Sequence, residues 1–255
     1  MMKYNLKYRT ELVVNFIWTL MTPLAIIVLW LVVNAATGTT SVGGYSGGLL
    51  FTYFIIASAV GGVVMATGVA YGMQSDIQSG SIINNLLRPL SYPLTIFAEN
   101  VSDNLLNTMV FTLFPTIVLV ILLFHPPLTL FTITAFFLEI VSVFIMTSIF
   151  FFIIGCLSVY LTNINGIINL VQWALNALGG YLIPISMMPQ GMAKLVEATP
   201  MYLIYYLPAA TFTGTVSTAF IIASLVMCAE WTAVFFVVAV IFWWRIRAKT
   251  AAVGG

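Results

Sequence analysis

The sequence predicts an all-α integral membrane protein with six transmembrane helices and with both termini on the cytoplasmic side of the cell membrane. The first observation is composition, because 62% of the 255 residues are hydrophobic and only 6% are charged. That leaves too little polar surface to keep a globule of this length in water. The second observation is that six apolar runs are long enough to cross ~30 Å of hydrocarbon, which takes about 20 helical residues. The third is that these runs are continuously apolar rather than alternating, which indicates helices.

The six predicted spans are Leu12–Val33, Leu49–Tyr71, Asn104–Phe124, Phe131–Tyr160, Gly166–Ile183 and Val216–Trp244. The first run is too long for the apolar core of a signal peptide, so we expect it to be an uncleaved span. Basic residues set the orientation: seven of the eight flank the spans on one face, and only Lys194 falls on the other. Cytoplasmic segments carry the excess of Lys and Arg, which predicts a multi-pass protein with both termini inside the cell.

The whole chain, residues 1–255, is predicted to be a single transmembrane domain. Three of its segments lie outside the spans and differ from them in composition. Residues 1–11 mix Tyr and Leu with basic residues, which predicts an interfacial elbow segment. Residues 75–92 form a polar cytoplasmic loop. Residues 184–214 are semi-apolar but interrupted by prolines, among them Pro184, Pro189 and Pro200. Because proline breaks helices, we expect short helices that re-enter the outer leaflet before the sixth span.

The loop after the second span carries an apolar helical face. Ile82, Ile83, Leu86 and Leu87 fall at helical spacings, and the pair Arg88-Pro89 ends the segment. Such a helix can dock into a groove on a partner protein, or it can lie on the inner leaflet without a partner. The residues alone leave both interpretations open.

Two motifs, taken with the order of the spans, resemble one known family. The first is Asp76-x-x-x-Gly80 followed by Leu86-Leu87-Arg88-Pro89-Leu90-Ser91, and the second is Gly179-Gly180-Tyr181-Leu182-Ile183-Pro184 followed by Met188-Pro189 and Pro200-Met201-Tyr202. They are similar to the inner loop and the proline-broken stretch of ABC-2 type ABC-transporter permeases of the drug-resistance exporter type. The likeness covers nearly the whole chain.

The resemblance implies the membrane-spanning permease subunit of an ATP-driven exporter for an amphipathic or polar-headed substrate. In this family the inner loop is a coupling helix that contacts a separate ABC ATPase, which implies ATPase-coupling roles for Asp76, Gly80, Ile82, Ile83, Leu86, Leu87, Arg88 and Pro89. It further implies a second permease subunit, as a homodimer or a heterodimer in the lipid bilayer. The sequence has no G-x-x-x-x-G-K-[ST] motif. ATP and Mg²⁺ are therefore expected on the partner ATPase, and no cofactor, metal site, catalytic residue or nucleic-acid partner is expected for this chain.

Two polar or small-residue stripes mark candidate functional surfaces. Asn165, Asn169, Gln172, Asn176 and Gly180 recur at helical steps in the fifth span, and Ser58, Gly61, Met65, Gly68 and Gly72 do so in the second. Amides that face lipid lack hydrogen-bond partners, so the first stripe predicts a translocation path, a dimer seam or hydrogen bonds between helices. The second predicts close helix packing, because Gly68-x-x-x-Gly72 is a helix-packing motif.

Two acids are predicted at membrane depth, Glu139 in the fourth span and Glu230 in the sixth. Such a carboxyl group either faces a wet cavity or is neutral and hydrogen-bonded to a neighbouring helix. Proton relay through these acids makes a proton-coupled secondary transporter one alternative function, and a non-transporting membrane scaffold is the other. Glu99 and Asp103 are expected at the inner end of the third span, solvated or paired with Arg88.

Overall fold

The computed structural model describes residues 45–86, 91–102 and 108–253, together with Ser41, Val42 and single positions between Val14 and Ala35. Its helices are α1 Gly47–Val64, α2 Thr67–Ser79, α3 Ser81–Leu86, α4 Tyr92–Asn100, α5 Phe114–Phe124, α6 Leu130–Cys156, α7 Asn165–Leu178, α8 Gln190–Glu197, α9 Tyr206–Thr213 and α10 Thr218–Val253. Strands β1 Ser41–Val42 and β2 Tyr45–Ser46 pair antiparallel before α1. Shorter helical turns are Met109–Leu113, Leu157–Val159, Ile185–Met187 and Pro200–Leu203. The predicted elbow, residues 1–11, lies outside the described residues, as do Leu87, Arg88 and Pro89.

Three helical stretches of the described chain are long and apolar enough to cross a membrane. They are Gly47–Ser79, Leu130–Val159 and Thr218–Ile246, with 33, 30 and 29 residues. These stretches confirm the predicted second, fourth and sixth runs as apolar helices of spanning length. The third run appears as the shorter apolar helix Met109–Phe124. The described positions of the first run are helical, and a total of six spans stays a prediction.

The fifth predicted span is shorter than expected. Its helix, α7, has 14 residues and ends at Leu178, so it falls short of the roughly 20 residues that cross a bilayer. The cause lies in the next residues, because Gly180 adopts a φ of 92° and a helix cannot continue through that conformation. The prediction of a continuous helix from Gly166 to Ile183 is therefore wrong.

The second span forms the centre of the packing and the sixth lies at the periphery. In the most apolar window of Gly47–Ser79, 78% of the residues are buried, compared with 11% in Thr218–Ile246. Aromatic rings join α6 to its neighbours: Phe136 contacts Phe212 of α9 at a centroid distance of 5.1 Å, and Phe150 contacts Phe235 of α10 at 5.2 Å. The core is thus a layer of α1, α6 and α9, with α10 packed on its outer side.

The second span is interrupted at Met65 and Ala66, between α1 and α2. An interrupted helix leaves backbone groups without partners inside the membrane, which is tolerated where protein covers them or where they line a cavity. The Thr147 hydroxyl of α6 donates a hydrogen bond to the carbonyl oxygen of Val64 at 2.6 Å and so satisfies one of these groups. Met65 itself lines a cavity. Both conditions for a stable break are met.

The proline-rich segment forms short helices, as predicted. Pro184 and Pro189 immediately precede helical turns, and Pro200 is the first residue of another. Each proline fits there because the first residues of a helix need no backbone N–H donor. After these turns the chain returns into the core as α9, in which every residue is buried. Re-entry into the protein is observed, and its position in the outer leaflet stays a prediction.

Candidate functional site

A cavity of about 960 Å³ lies beside the break in the second span. Its described walls combine the small-residue face of α1 and α2, two amides of α7, the end of α4 and three aromatic residues. The lining residues include Ser58, Gly61, Met65, Gly68, Gly72, Gln172, Asn176, Ile96, Glu99, Asn100, Trp173, Tyr181 and Tyr205. Ala25 of the first predicted span also lines it. We call this space the central cavity. Two stripes that the sequence predicts separately therefore meet around one space.

The amide stripe of α7 divides into two pairs. Gln172 and Asn176 line the central cavity, and Asn176 Oδ1 accepts a hydrogen bond from the Tyr205 hydroxyl. Asn165 and Asn169 instead bond to α2: Asn165 Oδ1 accepts from Gln74 Nε2 at 3.2 Å, and Asn169 Oδ1 accepts from the Tyr71 hydroxyl at 3.4 Å. One half of the stripe thus faces the central cavity, and the other half holds α7 to α2.

Gly180 does not continue that stripe, and the prediction that it shares the helix face is wrong. It lies beyond the end of α7, in a buried left-handed turn with a φ of 92°. Its carbonyl oxygen accepts a hydrogen bond from the Tyr53 hydroxyl at 2.6 Å. A Cβ atom at this position would lie 2.7 Å from Cβ of Tyr206. Glycine is required here for the turn and for close packing.

The glycines of the small-residue face allow other side chains to approach α1 and α2. A Cβ on Gly61 would lie 2.5 Å from Cε1 of Tyr205, and a Cβ on Gly68 would lie 3.1 Å from Oδ1 of Asn100. At Gly72 the nearest atom is Cδ1 of Ile96, at 3.5 Å, which is an ordinary contact. Gly61 and Gly68 therefore serve packing and also line the cavity.

Two groups of functional interest were missed by the sequence reasoning. Glu99 lies at the cavity wall rather than only at the end of a span, and no ion pair of Glu99 is found among the described residues. Gln74 and Gln78 of α2 bond to the segment before α7: Gln74 Oε1 accepts from the Ile164 N–H at 2.8 Å, and Gln78 Nε2 donates to the Thr162 carbonyl oxygen at 2.6 Å. The two glutamines lie four residues apart and therefore share one face of α2. This spacing indicates that both can contact the same segment, here the one before α7.

The two acids predicted at membrane depth have opposite environments. Glu139 is completely buried in α6, and its Oε1 accepts a hydrogen bond from the Thr211 hydroxyl of α9 at 2.8 Å. Its Oε2 has no hydrogen-bond partner in the part of the chain that the structure describes. Glu230 is exposed on α10, on the side that also exposes Val226 and Val234. Neither carboxyl group lines the central cavity.

The helix that lines the cavity, α2, continues directly into the loop after the second span. Helix α2 runs from Gly68, at the cavity, through Asp76 to Ser79, and Gly80 ends it with a φ of 75°. Asp76 then fixes the next two helices, because its Oδ1 accepts from the Ser81 hydroxyl at 2.6 Å and its Oδ2 accepts from the Tyr92 hydroxyl at 2.9 Å. The Asp76-x-x-x-Gly80 motif is therefore a structural joint between α2, α3 and α4.

Tyr92 attaches this joint to the last helix. Its ring stacks on Trp243 of α10, with a centroid distance of 5.4 Å and an interplanar angle of 17°. Burial, reinforced by the nearby Asp76 carboxylate, raises the pKa of the Tyr92 hydroxyl, which therefore stays protonated and able to donate. The loop is thus fixed to the membrane-spanning body at both of its ends.

Ile82 and Ile83 of α3 point in different directions. Ile82 is 5% exposed and packs in the core, whereas Ile83 is 58% exposed. Of this pair, only Ile83 presents a side chain that a second protein can reach. The predicted contacts through Leu87, Arg88 and Pro89 lie outside the described residues.

Comparison with known proteins decides the family. The sequence matches the family model described as ABC-2 family transporter protein over residues 16–249. The chain belongs to the ABC-2 transporter family. No curated protein and no solved structure gives a significant match. Membership confirms the resemblance seen in the sequence and makes this ABC-2 protein a membrane-embedded transport protein.

The packing of Tyr205 against α1 predicts a specific stability effect in this ABC-2 protein. Changing Gly61→Ala places a methyl group 2.5 Å from Cε1 of a buried ring whose hydroxyl is held by Asn176, and overpacking of this kind costs about 1–3 kcal/mol. We expect a lower thermal midpoint in detergent, measured by the loss of the monodisperse size-exclusion peak after heating. The matched control is Gly191→Ala in α8, where an added Cβ meets nothing within 4 Å. An unchanged midpoint for Gly61→Ala would show that the ring is free to shift.

Proposed function

We propose that this ABC-2 protein is the permease subunit of an ATP-driven exporter that works with separate ABC ATPase subunits. The observation that supports it best is the continuity of α2. Helix α2 is a single helix of 13 residues. Gly68 and Gly72, in its first half, line the cavity, and Asp76, which joins α2 to α3 and α4, lies near its end. A force applied to the loop is therefore transmitted to the wall of the central cavity without passing through a flexible segment.

The same helix also acts on the opposite wall. Gln74 and Gln78 hold the segment before α7, and α7 contributes Gln172 and Asn176 to the cavity. Movement of α2 is therefore expected to displace α7 as well. In the proposed cycle, ATP binding brings the ATPases together, the loop is pushed, and the cavity changes from inward to outward access. ATP and Mg²⁺ bind to the ATPase, and this chain carries the translocation path.

The loop surface supports a docked partner. Ile83 is a large apolar side chain left 58% exposed beside the polar Ser79 and Gln78, which are also exposed. An apolar anchor surrounded by polar groups is the usual composition of a helix that docks into a groove. Ile82, by contrast, is expected to keep α3 attached to the membrane-spanning body.

A second permease subunit is part of the proposal. Helix α7 leaves Leu170 71% exposed and Trp173 69% exposed, and Trp173 also lines the central cavity. Among the residues that the structure describes, a cavity wall that carries a large exposed aromatic residue is incomplete. We expect a second copy, or a related permease, to face α7 and close the path.

The proposal is tested by mild purification of the tagged chain from its native membrane, followed by mass spectrometry of the proteins that stay bound. We expect an ABC ATPase at a stoichiometric level together with one additional permease copy. Absence of any ATPase from a preparation that remains monodisperse and folded would overturn the proposed coupling.

A further inference from the structure

We propose that the central cavity binds amphipathic organic cations, an inference that rests on the permease function proposed above. Its charge balance is the first observation. Glu99 is the only charged side chain among the described residues that line the cavity. The other described lining residues, including the aromatic ones, are neutral. A single carboxylate at the wall of a membrane cavity favours a ligand of positive charge and opposes one of negative charge.

The rest of the sequence does not reverse this balance. Arg88 is the one Lys or Arg between Arg9 and Lys194, so the predicted first span and residues 103–107 add no base. Residues 103–107 do include Asp103, which is an acid. A second copy of the chain at the cavity would repeat the same charges. Within residues 10–193 the sequence therefore carries one base, Arg88, against five acids.

The aromatic side chains of the wall suit the same ligand class. Trp173, Tyr181 and Tyr205 line the cavity, and the rings of Tyr181 and Tyr205 lie 5.1 Å apart between centroids. Aromatic faces attract organic cations and also accept apolar groups. The amides Gln172 and Asn176 add polar contacts without charge. These groups match a ligand that combines a positive centre with apolar or aromatic parts.

The cavity is elongated, so the two kinds of contact are separated. It is lined from Ser58 to Gly72, which corresponds to about 20 Å along α1 and α2 at the helical rise per residue. Tyr205 packs at Gly61, toward one end, whereas α4 packs farther along, with Asn100, the residue after Glu99, at Gly68 and Ile96 at Gly72. An amphipathic cation fits this order, with its charged group toward Glu99 and its apolar part toward the tyrosines.

The test measures saturable binding of tritiated tetraphenylphosphonium to the purified chain, with its co-purifying subunits, in lipid nanodiscs. The uncharged competitor is triphenylphosphine oxide, which keeps three of the four phenyl groups and lacks the positive charge. We expect unlabelled cation to compete and the neutral compound to compete at least about tenfold more weakly. Glu99→Gln should weaken cation binding about tenfold, whereas Glu99→Asp should retain the preference for the cation. The matched control is Glu197→Gln, an exposed acid of α8 that does not line the cavity.

The outcomes separate this inference from the permease proposal. Equal competition by the cation and the neutral compound, or unchanged binding in a folded Glu99→Gln variant, overturns the cation site. If Glu99→Gln does not fold, the wild-type competition alone decides. A sample that retains the ATPase but shows no cation preference contradicts only the inference about the ligand. Selective cation binding in a folded sample that lacks any ATPase contradicts the permease proposal and leaves the cation site supported.

Discussion

Changing Ile83→Asp is expected to remove the ABC ATPase from the purified protein. Ile83 is an exposed apolar side chain of α3, and a carboxylate at that position would be desolvated in an apolar groove. Truncation of a central anchor weakens an interface by about 2 kcal/mol or more, and introduction of a charge is expected to do at least as much, so at least about a tenfold loss of retained ATPase is expected. The measurement is the ratio of ATPase to permease by quantitative mass spectrometry after identical purification.

The control for this variant is Leu195→Asp. Leu195 is 73% exposed on α8, in the segment predicted at the opposite membrane face, and receives the same chemical change. It should retain the ATPase at the wild-type ratio. Equal retention by both variants, with both proteins folded, would show that α3 is a surface helix without a partner.

A cysteine at Asn176 is expected to react with a water-soluble thiol reagent much faster than a cysteine at Leu175. Asn176 lines the central cavity, whereas Leu175, the preceding residue of α7, is 5% exposed. A transport cavity contains water, and thiol modification requires access of the reagent to the thiolate. We expect initial rates that differ at least about tenfold, or ~1.4 kcal/mol. The rates are measured by mass shift of the intact protein in nanodiscs.

The native cysteines supply the background for this measurement. Cys156 and Cys228 are exposed by 0% and 1%, so the unmodified chain should label slowly. Slow labelling of both Asn176→Cys and Leu175→Cys would indicate a dry, packed seam and would favour the membrane-scaffold alternative. Fast labelling of Asn176→Cys alone would exclude a scaffold without a wet interior.

Properties that depend on local sequence pattern are predictable from the sequence alone. Long apolar runs predicted the helices at Gly47–Ser79, Leu130–Val159 and Thr218–Ile246, because the membrane requires such runs. Helical spacing also placed Gln172 and Asn176 on one face, and the prolines predicted the short helices before α9. Membership of the ABC-2 family agrees with the motifs around Asp76 and Gly180.

Properties that depend on distant contacts were not predictable in this way. The break at Met65 and Ala66 has no proline to mark it, and it is stabilised by Thr147, which lies more than 80 positions away. The burial of Ile82 and exposure of Ile83 depend on how Asp76 fixes α3. The lining role of Glu99 follows from α4 packing against α2, which the composition of the third run does not reveal.

We propose that α3 contacts an ABC ATPase and transmits its movement to the cavity. The most direct test replaces Ile83 by the photo-crosslinking residue benzoylphenylalanine in living cells, with the same replacement at Leu195 as the reference position. After irradiation, we expect a covalent adduct between position 83 and an ABC ATPase, identified by mass spectrometry, and none from position 195. Adducts of position 83 with lipid alone, in a folded and membrane-inserted chain, would contradict the claim.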